Sequence, residues 1–141
     1  MRRVSGGYDR WMGARVGLDL VSIADIEDSI RVHSGRYLAR VYTTAELADC
    51  RLPDGAYNVR SLAARVAAKE AVLKVLGVED EGIPWRAIGV RKDRSGCPSI
   101  ELTGAAEALA QQRGVESLAV TLTHSGAFAA AVVVAEVRGE R

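Results

Sequence analysis

The chain has 141 residues, 48% hydrophobic and 26% charged, which suits one globular domain with a buried core and excludes a disordered or fibrous protein. With 19 Lys and Arg against 18 Asp and Glu, the net charge of +1 excludes a protein that grips long nucleic acid through a basic excess. The absence of a long apolar run excludes a membrane span, and two distant cysteines, Cys50 and Cys97, favour buried thiols in a reducing, cytoplasmic setting.

The first strand and helix are predicted near the start of the chain. Residues 1–15 are charged and contain glycine, so we expect a flexible N-terminal arm followed by a single domain over residues 16–141. Residues 16–21 form a short apolar run, the pattern of a buried strand. Residues 23–32 then carry apolar side chains at helical spacing.

Capping signals mark the next helices. Thr43, followed three residues later by Glu46, forms a capping box that begins a second helix. A long Ala- and Leu-rich helix is predicted over residues 59–76, with Gly77 at its C-cap. A further helix over 103–113 and four strands complete the pattern: 87–91, 99–102, 118–123 and 128–137. The predicted class is α+β, an antiparallel sheet packed on one face by helices with the long helix at its centre.

The long helix carries charges that admit two interpretations. Lys69 lies inside its apolar arc, Arg65 lies at one border, and Glu70 and Lys74 share the other. In the structural interpretation, the cations lay their stems along apolar surface and Glu70 pairs with Lys74. In the functional one, cations one turn apart face an anionic ligand while Glu70 holds Mg²⁺ shared with its phosphates.

Asp19 and His124 are the other candidates. Asp19 lies within an apolar strand, where burial of an unpaired carboxylate is unfavourable. It is therefore predicted either to accept from a nearby backbone amide or to bind the same metal ion as Glu70. His124 ends a predicted strand before a glycine-containing turn, so it is either an incidental turn residue or a side chain that projects into a cleft.

Several stretches together resemble the holo-acyl-carrier-protein synthase family of 4′-phosphopantetheinyl transferases. GLD alone is a weak signal, but RxAAKEAxxKxxG with GLDxV upstream and a late strand ending in His is a specific combination. The resemblance covers nearly all of residues 16–136. The matching stretches are GLDLVSIADI at 17–26, RVYTTAEL at 40–47, LAARVAAKEAVLKVLG at 62–77, GCP at 96–98 and VTLTHSGAFAAAVVV at 120–134.

The resemblance implies an enzyme that transfers 4′-phosphopantetheine from coenzyme A to a serine of an apo acyl carrier protein, giving 3′,5′-ADP, with Mg²⁺ as cofactor. It implies that Asp19 and Glu70 are metal ligands. It also implies that Asp19, Glu70 and Lys69 are the catalytic residues, with Lys69 at the reacting diphosphate. Glu70 or a metal-held water would be the general base. It also implies a homotrimer with active sites between subunits. Coenzyme A is expected to contact Arg65, Lys69, Lys74, Pro98 and His124.

The chain departs from the family pattern at three places. Val66 replaces a large aromatic residue, and VEDEG after Gly77 lacks a second glycine usual in that loop. The third departure is an acidic first helix where the family commonly has an arginine that docks the acidic carrier. The acidic residues are Asp25, Glu27 and Asp28. We therefore expect either a dedicated carrier protein or docking of the carrier through other cations of this region, namely Arg31, Arg36 and Arg40.

The acidic helix also leaves an alternative function open. A coenzyme-A-binding or carrier-interacting module could keep the fold and the nucleotide site and yet have lost the transfer reaction. A purely structural oligomer is less favoured, because it would give Asp19, Lys69 and Glu70 no shared purpose. The sequence does not distinguish a carrier of fatty acid synthesis from one of polyketide or peptide synthesis.

Overall fold

The computed structural model describes residues 12–78 and 82–139. In chain order, a first strand is followed by three helices, a hairpin, a fourth helix and two long strands, which confirms the predicted α+β class. A single 3-10 turn, Trp85–Ala87, precedes the hairpin. The elements are β1 (Met12–Ser22), α1 (Ile23–Val41), α2 (Thr44–Asp49), α3 (Val59–Leu76), β2 (Ile88–Lys92), β3 (Pro98–Leu102), α4 (Gly104–Gln112), β4 (Val115–Ser125) and β5 (Phe128–Arg138).

The strands form two antiparallel sheets where one was predicted. The larger sheet has the order β1-β5-β4, so the last strand lies at its centre, and β2 and β3 pair separately as a hairpin. α3 packs against the larger sheet and also contacts β2, which makes it the central helix of the fold, as predicted.

Small side chains let α3 lie close to the sheet. The alanines of α3 that face the strands are almost fully buried, and so are the facing alanines of β5. The closest approach is at Gly17 of β1, where a Cβ atom would lie only 2.1 Å from the Ala71 carbonyl oxygen. Only glycine fits there, so β1 is held directly against α3.

The largest differences from the predicted element boundaries are in β1 and α1. β1 begins at Met12, so residues 12–15 belong to the sheet and not to an arm, because the strand pairs with β5 as far as Met12 opposite Arg138. Residues 1–11 lie outside the described residues. α1 extends beyond residue 32 to Val41, with a break at Ser34, whose φ of 46° and ψ of −126° are not helical.

The predicted caps are confirmed. The Thr43 hydroxyl accepts from the Glu46 amide at 3.1 Å, and the Glu46 carboxylate accepts from the Thr43 amide at 2.9 Å. Gly77 ends α3 in the left-handed conformation, with φ of 72°. Of the two cysteines, Cys50 is buried as predicted, whereas Cys97 is exposed on the β2–β3 turn. Within the described residues, no helix is long and apolar enough to cross a bilayer.

Candidate active site

β1 runs antiparallel to α3 and brings Asp19 to it. Near the start of β1, the Arg15 guanidinium donates to the Val75 carbonyl at 3.4 Å, and two residues later Gly17 lies against Ala71. Two residues of strand advance by about 6.6 Å, which is about one turn of an α-helix. Asp19 therefore lies beside the turn of α3 that carries Glu70, although the two residues are far apart in sequence.

Asp19 is held in an ion pair with a residue of α3. Its side chain is 19% exposed, and its Oδ1 lies 3.2 Å from Nζ of Lys74. The same ammonium donates to the Leu18 carbonyl at 2.8 Å. Glu70, half-buried, lies one turn before Lys74. The structure thus brings Asp19 to Lys74 at one edge of α3, and Glu70 lies on the neighbouring turn of that helix.

Few side chains that could bind a metal ion lie near Asp19 and Glu70. Among the described residues, no three or more His, Cys, Asp or Glu side chains are grouped so as to hold a metal ion. Mg²⁺ is usually held by one or two carboxylates, with water and substrate phosphates completing its octahedron. Asp19 and Glu70 suit a Mg²⁺ ion shared with a phosphate-bearing ligand.

A cleft of about 280 Å³ opens farther toward the start of α3. Arg65 forms part of its wall and is only 1% exposed. Its Nη1 donates to the Ser61 carbonyl at 3.3 Å, but its buried Nε has no hydrogen-bond partner in the structure. A buried donor without an acceptor is costly, so it indicates a ligand that supplies one. The complete lining is Ser61, Ala64, Arg65, Lys92, Leu122, Thr123 and His124.

The cleft unites some of the predicted coenzyme A contacts. Arg65 and His124 both line it, and Pro98 is paired with Lys92 across the β2–β3 ladder, next to its wall. Lys74 lies instead at Asp19. Lys92 was missed by the sequence analysis, because an exposed lysine at the end of a hairpin strand has the pattern of an ordinary solvated charge. Three cationic or titratable side chains in one small cleft favour an anionic ligand such as a phosphate.

Lys69 lies elsewhere than predicted. It is fully buried, with Nζ 2.6 Å from Glu46 Oε1 and 3.1 Å from the Trp85 carbonyl, and it also donates to the Ile88 carbonyl. Burial lowers the pKa of Lys69, and the Glu46 carboxylate opposes that shift. Because all three ammonium hydrogens have acceptors inside the protein, the structure does not support a contact with the reacting diphosphate.

Comparisons with known proteins identify the family of the chain. Residues 15–133 match the family model described as the 4′-phosphopantetheinyl transferase superfamily. The holo-[acyl-carrier-protein] synthase of Moorella thermoacetica is 43% identical over 122 residues, which cover 85% of this chain and 91% of that protein. The synthase of Herpetosiphon aurantiacus is 42% identical over 125 residues, which cover 84% of this chain and 94% of the relative.

Solved structures share the fold over most of the chain. The crystal structure of Helicobacter pylori holo-[acyl-carrier-protein] synthase in complex with coenzyme A superposes with a TM-score of 0.74 at 29% identity, covering 86% of this chain and 99% of that one. The Chronobacterium ammoniagenes synthase complex with coenzyme A gives a TM-score of 0.79 at 26% identity, covering 90% and 99%. With its matching sequence and fold, the chain belongs to the 4′-phosphopantetheinyl transferase superfamily, in its holo-acyl-carrier-protein synthase family.

Proposed function

We propose that this chain transfers 4′-phosphopantetheine from coenzyme A to a serine of an apo acyl carrier protein in a Mg²⁺-dependent reaction. The observation that carries this proposal is the layout of α3. Arg65 in the phosphate-sized cleft and Glu70 beside Asp19 are five residues apart, about 7.5 Å along the helix axis. One extended nucleotide ligand can therefore reach both the cleft and the carboxylates.

The cleft is assigned to the nucleotide end of coenzyme A. The buried Nε of Arg65 would gain an acceptor when a phosphate oxygen enters, and Lys92 and His124 add donors elsewhere in the lining of the cleft. Pro98 pairs with Lys92 on the neighbouring strand, and we propose that it contacts the adenine, as the family resemblance implies. This arrangement orients coenzyme A with its diphosphate toward Asp19 and Glu70.

The reaction takes place at the diphosphate. Mg²⁺ held by Asp19 and Glu70 would neutralise negative charge on the diphosphate oxygens. The carrier serine oxygen bonds to the β-phosphorus while the bond from that phosphorus to the bridging oxygen breaks, and 3′,5′-ADP leaves with the bridging oxygen. Glu70 receives the serine proton, directly or through a water. Lys74, exposed at the same edge, supplies a positive charge beside the reacting group.

We propose a dedicated carrier protein as the acceptor. The three acidic residues of α1 are all exposed near its start, and one of them, Asp28, pairs with Arg31 at 3.3 Å. Like charges would repel an acidic carrier at that end of the helix. Arg36 and Arg40, exposed farther along α1, supply the cations for docking. The carrier's identity would also decide between fatty acid and polyketide synthesis.

We further propose a cytoplasmic homotrimer. Three side chains of β1, Val16, Leu18 and Leu20, point away from α3 and are 65%, 58% and 62% exposed. Such a row of exposed aliphatic residues on an edge strand favours burial against another subunit. Cys50 and Cys97 are both free thiols, which is compatible with a reducing compartment.

Mass spectrometry of an apo carrier protein tests the proposed reaction. Incubation with this chain, coenzyme A and MgCl₂ should add about 340 Da to the carrier, and EDTA should abolish the gain until Mg²⁺ is restored. Asp19→Asn and Glu70→Gln should each lower the rate at least about 100-fold, whereas Glu107→Gln on the exposed surface of α4 should not. Tight binding of coenzyme A with no mass gain on any carrier of the source organism would favour the alternative module instead.

A further inference from the structure

The most deeply buried charges of the described residues lie outside the cleft and outside the carboxylate site. Lys69 of α3 and Glu46 of α2 are both 0% exposed and form an ion pair of 2.6 Å between Nζ and Oε1. Placing two charges in an apolar interior requires a large desolvation free energy. A buried ion pair is stable only where each of its donors and acceptors has a hydrogen-bond partner. The partners of Lys69 and Glu46 therefore show which elements the ion pair connects.

The pair connects four elements. Besides Glu46, the Lys69 ammonium donates to the carbonyls of Trp85 and Ile88, in the 3-10 turn and at the start of β2. The Glu46 carboxylate accepts from the Thr43 amide at the start of α2 at 2.9 Å and from the Val90 amide of β2 at 3.2 Å. All three ammonium hydrogens and both carboxylate oxygens are used. The network therefore fixes α3 relative to α2 and β2 in direction as well as in distance.

Stability alone does not account for this network. Much of the surrounding core is apolar or aromatic, with the Tyr42 ring centroid 6.0 Å from the Lys69 ammonium. The nearby charges of Arg65 and Arg86 further disfavour a protonated lysine here. An apolar pair of the same volume would stabilise such a core as well or better. Hydrogen bonds to backbone carbonyls and amides depend strictly on direction, whereas apolar contacts do not. With Lys69 bound to three acceptors on neighbouring elements, the rotation of α3 about its axis is restrained.

That rotation decides where Glu70 points. Lys69 and Glu70 are neighbours on a rigid helix, and successive residues differ by about 100° around the axis. We propose that Glu46 and Lys69 are positioning residues of the transfer reaction, which hold α3 in the rotation that presents Glu70 to Asp19. Neither touches the ligand. The inference rests on the proposed function, because it assigns Glu70 its task in the reaction.

A double variant, Glu46→Gln/Lys69→Met, tests this role without leaving a lone buried charge. The matched control is Asp49→Asn/Arg91→Met, which breaks a 2.9 Å ion pair joining α2 to β2 without touching α3. For the test variant we expect kcat to fall about 10- to 100-fold with the KM for coenzyme A within about threefold of wild type, because the cleft is intact. The control should keep both constants near wild type.

Metal binding gives a readout independent of turnover. Mn²⁺ affinity, measured by electron paramagnetic resonance with coenzyme A present, should weaken about fivefold or more in the double variant and not in the control. A folded double variant with wild-type kcat and Mn²⁺ affinity would overturn the inference. Equal losses in test and control variants would also overturn it, since they would indicate general loosening between α2 and β2.

Lys69→Arg provides a second test if circular dichroism shows that the double variant is unfolded. The guanidinium keeps the positive charge opposite Glu46 but changes the hydrogen-bond geometry toward the Trp85 and Ile88 carbonyls. We therefore expect kcat and Mn²⁺ affinity to fall together, with the KM for coenzyme A unchanged. Wild-type values for both would contradict the positioning role. Failure of the wild-type chain to modify any carrier would count against the proposed function, while the Mn²⁺ comparison would still decide the role of Glu46 and Lys69.

Discussion

At the scale of single residues, Arg65 is buried and yet has a hydrogen-bond donor without an acceptor. An arginine that is 1% exposed would normally have acceptors for most of its donors, but its Nε has none within the structure. The cleft beside it is the place from which an acceptor can come. In the proposed function, the free energy of leaving this donor unsatisfied would be recovered when a phosphate binds, so a substitution of Arg65 tests the proposed site.

Arg65→Gln should weaken the binding of 3′,5′-ADP about 10- to 100-fold, the loss expected for one charge-assisted hydrogen bond of about 1.5–3 kcal/mol. Isothermal titration calorimetry measures the change directly. Arg60→Gln, an exposed substitution on the same helix, should leave the affinity within about twofold because exposed charges contribute little at physiological salt. An unchanged affinity in a folded Arg65→Gln chain would show that the nucleotide binds elsewhere.

The two cysteines should differ in reactivity. Burial raises the pKa of the Cys50 thiol to about 11, and only the thiolate is nucleophilic. Cys97 lies exposed on a turn. Iodoacetamide at pH 8 should therefore modify Cys97 and leave Cys50 unmodified, as read by peptide mass spectrometry. Cys50 should react only in denaturant or as the pH approaches about 11, and rapid modification of Cys50 in the folded chain at pH 8 would contradict its burial.

At the scale of elements, the contact between β1 and α3 depends on Gly17. An alanine Cβ there would meet backbone, the Ala71 carbonyl, which cannot move aside as a flexible side chain would. Gly17→Ala should lower the free energy of unfolding by about 2–3 kcal/mol and slow transfer by shifting Asp19. Gly13→Ala on the same strand, where the nearest atom is 4.0 Å away, is the control and should change stability little in urea denaturation. Equal losses in the free energy of unfolding for Gly17→Ala and Gly13→Ala would contradict the close approach of β1 to α3.

The break in α1 should tolerate glycine better than serine. Ser34 has φ of 46° and ψ of −126°, a region that is strained for any residue with a Cβ. Ser34→Gly should raise the free energy of unfolding by about 1 kcal/mol through relief of that strain. Ser29→Gly, in the regular part of α1, should lower it by about 0.5–1 kcal/mol. Thermal unfolding of the two variants would show shifts of opposite sign, and a loss of stability in Ser34→Gly would contradict a strained conformation there.

The elements also show where prediction from sequence succeeds. The beginning of α2 and the end of α3 could be predicted because Thr43, Glu46 and Gly77 act within a few residues of their own position. The pairing of Lys69 with Glu46 could not, because its partner lies 23 residues away on another helix. The one signal was a lysine inside an apolar arc, which is compatible with either a buried pair or a snorkelling side chain.

At the scale of the whole molecule, the two faces of the larger sheet differ in what covers them. α3 covers one face, and the cleft and the proposed metal-binding carboxylates lie on that side of the sheet, where we propose that the transfer reaction takes place. The other face presents aliphatic side chains of β1, together with exposed Phe128 and Val134 of β5. A face of this composition is unfavourable in water, and in a trimer it would be covered without obstructing α1, where the carrier is proposed to dock.

Leu18→Glu tests that assembly, since Leu18 lies in the middle of the exposed row and is 58% exposed. Burying a leucine contributes about 1.5–3 kcal/mol per subunit, and a carboxylate at the same place would be desolvated without a partner. Sedimentation should give a trimer for the wild-type chain and a monomer with unchanged circular dichroism for Leu18→Glu. Val32→Glu on α1 changes an equally exposed aliphatic residue, 61%, away from the sheet and should remain trimeric. A wild-type monomer at micromolar concentration, or a trimer that survives Leu18→Glu, would show that this face is not the subunit interface.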